Sequence, residues 1–220
     1  MSLQTDHEDG RRVRGDRTRR AILAAAVNLA SLEGLQGLSI GRLATELEMS
    51  KSGLFAHFGS KEELQISTVR AAAAIFAQRV VTPAESRHEP GLARLQGALD
   101  LWLDYMEQGT FAGGCFFAAA TVEMDGRPGP VRDSVAEQMT RWATFLADYA
   151  RVAIERGELE PDTDPDQLAF ELDALGIATN SGWQLHEDAT VFERGRRALR
   201  RRLYADATER GREILALHTP

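Results

Sequence analysis

The chain of 220 residues carries one cysteine, Cys115, so no disulfide can close within it. Its only lysines are Lys51 and Lys61. No apolar run is long enough to cross a bilayer, and no alternating apolar and polar pattern of useful length marks a β-strand. The opening MSLQTDHEDGRRVRGDR lacks the hydrophobic segment of a secretory signal. The five histidines form no metal-ligand cluster, and no glycine-rich phosphate loop occurs. Gly37-Leu38-Ser39-Ile40-Gly41 does fit the G-x-S-x-G nucleophile elbow. That chemistry needs a strand before the serine, and here a helix and a glycine turn precede it. These absences leave an all-α protein without cofactor, metal or membrane span, for which a cytoplasmic address is the economical expectation. With 43% hydrophobic and 27% charged residues, the chain is able to bury a substantial core.

A net charge of −7 looks unsuited to nucleic acid until it is divided. Residues 11–61 hold nine basic and four acidic groups, a local balance of +5, so the remainder carries −12. Screening confines each field to about 10 Å, and a positive module on an acidic body therefore still suits phosphate contact. The acidic body argues against an architectural, sequence-indifferent DNA binder. The arginine-rich run from Arg11 to Arg20 reads as part of the positive module rather than as a solvated tail, because it leads directly into the helix before both lysines.

Ser39 to Leu64 reads SIGRLATELEMSKSGLFAHFGSKEEL. Ile40, Leu43, Ala44 and Leu47 recur at helical spacing behind a capping Ser39. Ser50 is placed to cap a second helix, with Leu54 and Phe58 turned inward and Gly59 ending it. Ser60-Lys61-Glu62-Glu63 reads as a reciprocal capping box opening a third helix. This is the layout of a helix-turn-helix DNA reader, whose second helix enters the major groove. Lys51, Ser52 and Gly53 open that helix. A lysine there can donate to guanine O6 and N7, and glycine lets backbone approach. His57 lies about one turn on, near the groove wall. Lys61, in the first turn of the next helix, can join a backbone N–H on one phosphate. Ser39, Thr18 and Arg42 are further phosphate candidates.

The string Ser50-Lys51-Ser52-Gly53-Leu54-Phe55-Ala56-His57-Phe58-Gly59-Ser60-Lys61-Glu62-Glu63-Leu64 resembles the TetR family of transcriptional regulators, and the likeness runs from about Thr18 to Leu64. The family typically shows a serine, a glycine, a Leu-Tyr-x-His-Phe core, then a lysine and a leucine. This chain departs from it in three places. Phe55 replaces a tyrosine whose hydroxyl would bond phosphate, leaving an aromatic that packs or touches a thymine methyl. Ser52-Gly53 stands where glycine usually comes first. Glu48 occupies the inter-helix turn where glycine is usual, and a left-handed glutamate there costs about 1 kcal/mol.

The resemblance implies a three-helix reader and a larger C-terminal helical domain for ligand binding and dimerisation. The expected organisation is a disordered basic arm over 1–14, a reader over 15–65, and a body over 66–220. In the body, helices are expected at about 92–108, 131–156, 166–186 and 190–217, with Cys115 to Met124 a short apolar segment. The connecting helix from Lys61 is expected to stop near Val81, before Thr82-Pro83. The resemblance places a small-molecule pocket here. Trp102, Tyr105 and Met106, then Phe116 and Phe117, then Trp142, Phe145 and Tyr149 are its candidate lining at helical spacing, with plain core packing as the rival reading. Asp104, Glu123 and Asp148 are candidates for selecting a cationic ligand. The resemblance also pairs the last two long helices with their copies in a homodimer. Leu168, Leu172, Leu175, Thr179, Gly182, Trp183, Leu199 and Leu203 are the candidate contacts. The six arginines between Arg194 and Arg202 read as a solvated face. Cys115 reads as a small buried hydrophobe before it reads as a redox sensor.

The expected function is a transcriptional regulator that binds a double-stranded palindromic operator as a dimer and is released by a small, largely apolar effector. The alternative is a helical ligand-binding protein or enzyme with a vestigial reader.

Overall fold

The computed structural model describes residues 4–217, with side chains from residue 15 onward. Among these residues the only β pairing is an isolated bridge between Leu159 and Ala207. The elements are α1 (Gln4–Gly37), α2 (Ile40–Glu46), α3 (Lys51–Phe58), α4 (Lys61–Phe76), a π-helical turn (Ala77–Val81), α5 (Thr82–Arg87), α6 (Leu92–Glu107), α7 (Phe116–Met124), α8 (Pro130–Glu155), α9 (Pro165–His186), α10 (Thr190–Ala205) and α11 (Glu209–Leu217). No helix among the described residues is long and apolar enough to cross a membrane.

The expected caps form. Ser39, Ser50 and Ser60 each accept from the backbone N–H three residues on, opening α2, α3 and α4. Gly59 closes α3 at φ +70°, where a Cβ would be strained. The capping box is only half made: Ser60 Oγ accepts from Glu63 N at 3.0 Å, but Ser60 N donates to Phe58 O at 2.8 Å. The Glu63 carboxylate accepts instead from Ser67 Oγ at 3.3 Å.

Three elements differ from the sequence reading. Residues 4–14, expected as a disordered arm, continue α1 as helix, and residues 1–3 lie outside the described residues. The segment has no proline to interrupt a helix. The expected break at Thr82-Pro83 is absent, because the helix widens into the π turn just before Pro83, with Thr82 N donating to Ala77 O. That widening absorbs the missing proline N–H and its clash one turn back. The last helix divides into α10 and α11, because Ala207 is drawn into the core. There Glu160 N donates to Asp206 O at 2.8 Å and Thr208 N to Glu158 O at 3.2 Å. The boundary expected between residues 65 and 66 lies inside α4, in keeping with the connecting helix expected from Lys61.

One hydrophobic core runs through both parts, from Ile22 in α1 to Leu215 in α11. α4 and its π turn pack on α8 and α6, while α9 lies between α8 and α10. α7 bridges α1 and α8. This arrangement sets the reader helices at one end of the body and connects them to it through α1, α4 and α7.

Candidate nucleic-acid interface and apolar cavity

α2 and α3 meet through buried Leu43, Ala44, Leu54 and Phe58. The turn between them carries Glu48 at φ +53°, the left-handed conformation expected of that position. Lys51 and Ser52 are exposed in the first turn of α3, Gly53 is half-buried, and Phe55 is 53% exposed one turn later. The Lys51 stem lies over Gly41, where a Cβ would sit 3.5 Å from Lys51 Cε. α3 therefore presents a cation, a hydroxyl and an aromatic ring on one outward face.

The flanking candidates are engaged within the chain. Arg42 pairs with Glu33 and Glu46, each at 2.9 Å, and these carboxylates push its guanidinium pKa up. Lys61 Nζ donates to Gln36 O at 2.7 Å. A phosphate contact by either side chain requires exchange of these partners. The Ser39 hydroxyl is already the cap of α2, accepting from Arg42 N at 3.1 Å. His57 is half-buried, its ring tilted against Phe58 at 6.3 Å. Thr18 is half-buried in the interior of α1 and not at a helix start, because that helix begins at Gln4. Within the basic run, Arg19 turns inward. It donates to the His57 carbonyl and to Ser67 Oγ at 3.0 Å, and its guanidinium covers the Phe58 ring at 4.5 Å. It locks α1 onto α3 and α4, a role that composition alone did not indicate.

The turn between α1 and α2 is gripped from the body. Glu123, near the end of α7, accepts Leu35 N at 2.7 Å through Oε2 and Gln36 N at 2.8 Å through Oε1. Gly34, at φ +78°, makes room for this, since a Cβ there would lie 2.8 Å from Glu123 Oε1. Gln65 Nε2 donates to Leu35 O at 2.5 Å from α4. The α6–α7 loop is tied down as well: Asn28 Oδ1 accepts from Ala112 N, Ser31 Oγ from Gly113 N, and Asn180 Oδ1 from Cys115 N. These contacts join residues far apart in the chain, so no local pattern announces them.

α7 also lines a cavity of about 460 Å³ bounded by α4, the π turn, α6, α8 and α9. Trp142 stacks on Phe145, with ring centroids 5.5 Å apart and planes 13° apart. It meets the rings of Trp102 and Phe76 edge-on, at 5.3 Å and 5.1 Å. Gly176 lets α9 approach Trp102, whose ring occupies the space a side chain would need. Of the expected lining residues, Trp102, Phe117, Trp142 and Phe145 border the cavity. Tyr105, Met106 and Phe116 are buried in the core outside its lining. Tyr149 turns away to Arg94, which donates to its hydroxyl at 3.0 Å and lies 5.0 Å over its ring. Helical periodicity marks an inward face but not which part of that face borders a void.

The acids expected to choose a cation do not enter the cavity. Asp104 pairs with Arg196 at 2.5 Å and Asp148 with Arg151 at 2.8 Å, while Glu123 holds the reader turn. Asp173 is the carboxyl that lines it, and its Oδ1 is buried without a hydrogen-bond partner. Burial pushes its pKa up. The Trp142 indole N–H offsets this in part, although it too is buried without closing a hydrogen bond of normal geometry. Cys115 is buried in the cavity wall. Burial pushes its thiol pKa up, which disfavours the reactive thiolate.

The candidate dimer contacts mostly face inward. Leu168, Leu172, Thr179, Leu199 and Leu203 are buried within the single chain, and Trp183 packs on Phe192 at 5.5 Å. Only Leu175, Gly182 and Trp183 are partly open. The correction follows from α9 serving two surfaces. Leu168 and Leu172 fill the core, and its outer stripe carries Phe170, Ala174, Ala178 and Leu185, with Phe170 68% and Leu185 77% exposed. Two of the α10 arginines are half-buried with acidic partners: Arg196 bonds Asp104 and Glu107, and Arg202 bonds Glu171 and Asp206.

Comparison with known proteins agrees with this geometry. Residues 22–67 match the model of bacterial regulatory proteins of the tetR family, and residues 91–199 match that of the tetracyclin repressor-like C-terminal domain. The HTH-type transcriptional regulator TcmR of Streptomyces glaucescens is 27% identical over 201 residues, covering 86% of each chain. A TetR transcriptional regulator from Chloroflexus aurantiacus superposes with a TM-score of 0.81 at 25% identity, over 88% of this chain and 98% of its own. AibR, whose structure holds isovaleryl coenzyme A and operator DNA, shares the fold with a TM-score of 0.67 at 20% identity, over 82% of this chain and 95% of its own.

Proposed function

The chain belongs to the TetR family of bacterial regulatory proteins, and on that premise we propose that it is a homodimeric repressor of transcription. It holds a palindromic operator and releases it when a small, largely apolar molecule fills the cavity. In this reading residues 15–65 are the reader and 66–220 the body. Lys51, Ser52 and Phe55 meet base edges, and Gly53 lets the backbone approach. Ser39, Arg42, His57 and Lys61 meet phosphates on either side, with Thr18 at the margin. The exposed α9 stripe with Phe170 and Leu185 packs against the partner subunit. Two readers are needed because one short helix yields too small a specificity ratio, and half-sites lie about 34 Å apart or a multiple of it. The protein acts in the cytoplasm, where its operator is.

The observation that carries this reading is the Glu123 clamp. One nine-residue helix, α7, lines the cavity with Phe117 and Ala118 and holds the reader turn through Glu123. A ligand that prefers one position of α7 thereby shifts the reader, provided its affinity differs between the two states. The test is fluorescence anisotropy on DNA flanking the chain's own gene, with the dimer confirmed by sedimentation. Tight, sequence-specific binding to a palindrome is expected. An intact dimer that binds no segment specifically would leave a helical ligand-binding protein with a vestigial reader.

A further inference from the structure

We propose that the cavity takes a flat aromatic ligand with a hydroxyl at its inner end, directed to Asp173, and an anionic group at its outer end, directed to Arg70 and Arg141. This rests on the reading of the cavity as the effector site and names the chemistry of that effector.

The cavity has two chemically distinct ends. Its inner wall is formed by buried residues, Trp102 and Cys115 among them, with Asp173 reaching in from α9. The Asp173 Oδ1 and the indole N–H groups of Trp102 and Trp142 are buried without a hydrogen bond of normal geometry, although the Trp142 N–H faces Asp173 and the Trp102 N–H faces Cys115. A polar group held out of water without a partner is costly, so a ligand that supplies one gains affinity at that point. A hydroxyl is suited to this wall because it donates to a carboxyl oxygen and accepts from an indole N–H. Burial also pushes the Asp173 carboxyl toward its protonated form, which weakens it as a counter-charge for a cation.

The outer edge is set by exposed side chains. Arg70 from α4 and Arg141 from α8 both line it, and Arg141 is paired with Glu137 at 2.6 Å. Glu137 offsets much of the Arg141 charge, so the net positive charge of the mouth comes chiefly from Arg70; it attracts a carboxylate or sulfonate and disfavours a flat cation. Between the two ends, the stacked Trp142 and Phe145 and the edge-on Phe76 offer an apolar surface shaped for ring faces. The volume of about 460 Å³ lies in the range of small-molecule sites.

The test uses the full chain and its own fluorescence, since Trp102 and Trp142 form the wall and are quenched by an occupant. The probes are a hydroxynaphthoate, its methoxy ether, the parent naphthoate and protonated aminoacridine. The hydroxynaphthoate is expected to bind about tenfold more tightly than the parent acid, a preference the methoxy ether lacks because it cannot donate. The Asp173→Leu variant should abolish that preference. It should also melt at or above the wild-type temperature, because a carboxyl with a buried, unsatisfied Oδ1 is removed. Replacing Arg70 and Arg141 together by alanine should weaken both naphthoates alike. Aminoacridine binding more tightly than the acids, a methoxy ether equal to the hydroxyl compound, or no saturable quenching by the hydroxynaphthoate would overturn the proposal. The methoxy comparison holds even where a variant fails to fold. Operator binding, measured without any probe, separates the two readings. A chain that binds its operator but shows the wrong probe order refutes only the ligand chemistry.

Discussion

Replacing Glu123 by alanine asks whether the reader and the cavity wall move as one body. The carboxylate accepts two backbone N–H groups, Leu35 at 2.7 Å and Gln36 at 2.8 Å. A hydrogen bond to a charged acceptor is worth about 1.5–3 kcal/mol in mutational series. The two losses should not be equal. Gln36 is exposed, so water replaces its partner, whereas Leu35 is buried and its N–H is left poorly solvated. The expected net destabilisation is therefore about 2 kcal/mol, close to one charged bond. With a urea slope of about 2 kcal/mol per molar, the unfolding midpoint should fall by about 1 M. Glutamine at the same position keeps one acceptor oxygen and should recover about half of the loss. Anisotropy on the operator, with and without effector, supplies the functional arm. The alanine variant should bind DNA while folded but lose much of the ligand response, because α7 no longer pulls on the reader turn. A wild-type urea midpoint together with an unchanged ligand response would refute the clamp.

Other outcomes follow from the same geometry. Lys51→Ala should weaken operator binding about tenfold, with discrimination relaxed at one base position. A uniform loss with a salt slope reduced by about 1 would reassign the lysine to phosphate, and unchanged affinity across a salt series would remove it from the interface. Glu48→Gly should raise stability by about 0.5 kcal/mol, the relief of a left-handed glutamate less the added freedom of the unfolded chain, read as a small rise in melting temperature. Because the Asp173 pKa is raised in the fold, the folded state holds its proton more tightly than the unfolded one. Its stabilising share is present below about pH 4 and is lost as pH rises through the folded value. Urea titrations should show wild type falling behind Asp173→Asn over that interval, and parallel curves would contradict it. Phe170→Arg on the exposed α9 stripe should shift sedimentation toward monomer, and an unaltered dimer would place the interface elsewhere.

The reader was legible in the sequence because its determinants are local. Ser39, Ser50, Ser60 and Gly59 act on backbone groups within a few residues, and each cap forms where its spacing placed it. The left-handed Glu48 was equally readable from its place in the turn. The all-helical class, the length of most elements and the positive charge of the N-terminal module were set by composition and period alone. Tertiary structure decided the partners that lie far apart in the chain. No pattern marks Glu123 as the holder of Leu35 and Gln36, or Arg19 as a lock on Phe58, because each depends on two helices meeting at a particular crossing. The same holds for the division at Ala207, which is set by a loop pairing from residues 158–160. Periodicity told which side of α6, α8 and α9 was apolar. It could not tell whether a given apolar side met a neighbour, a void or a second subunit. That is why Tyr149 left the cavity, Asp173 entered it, and Leu168 and Leu172 of α9 turned out to belong to the core. A helix face is a property of one segment, whereas a cavity or an interface is a property of several segments packed together.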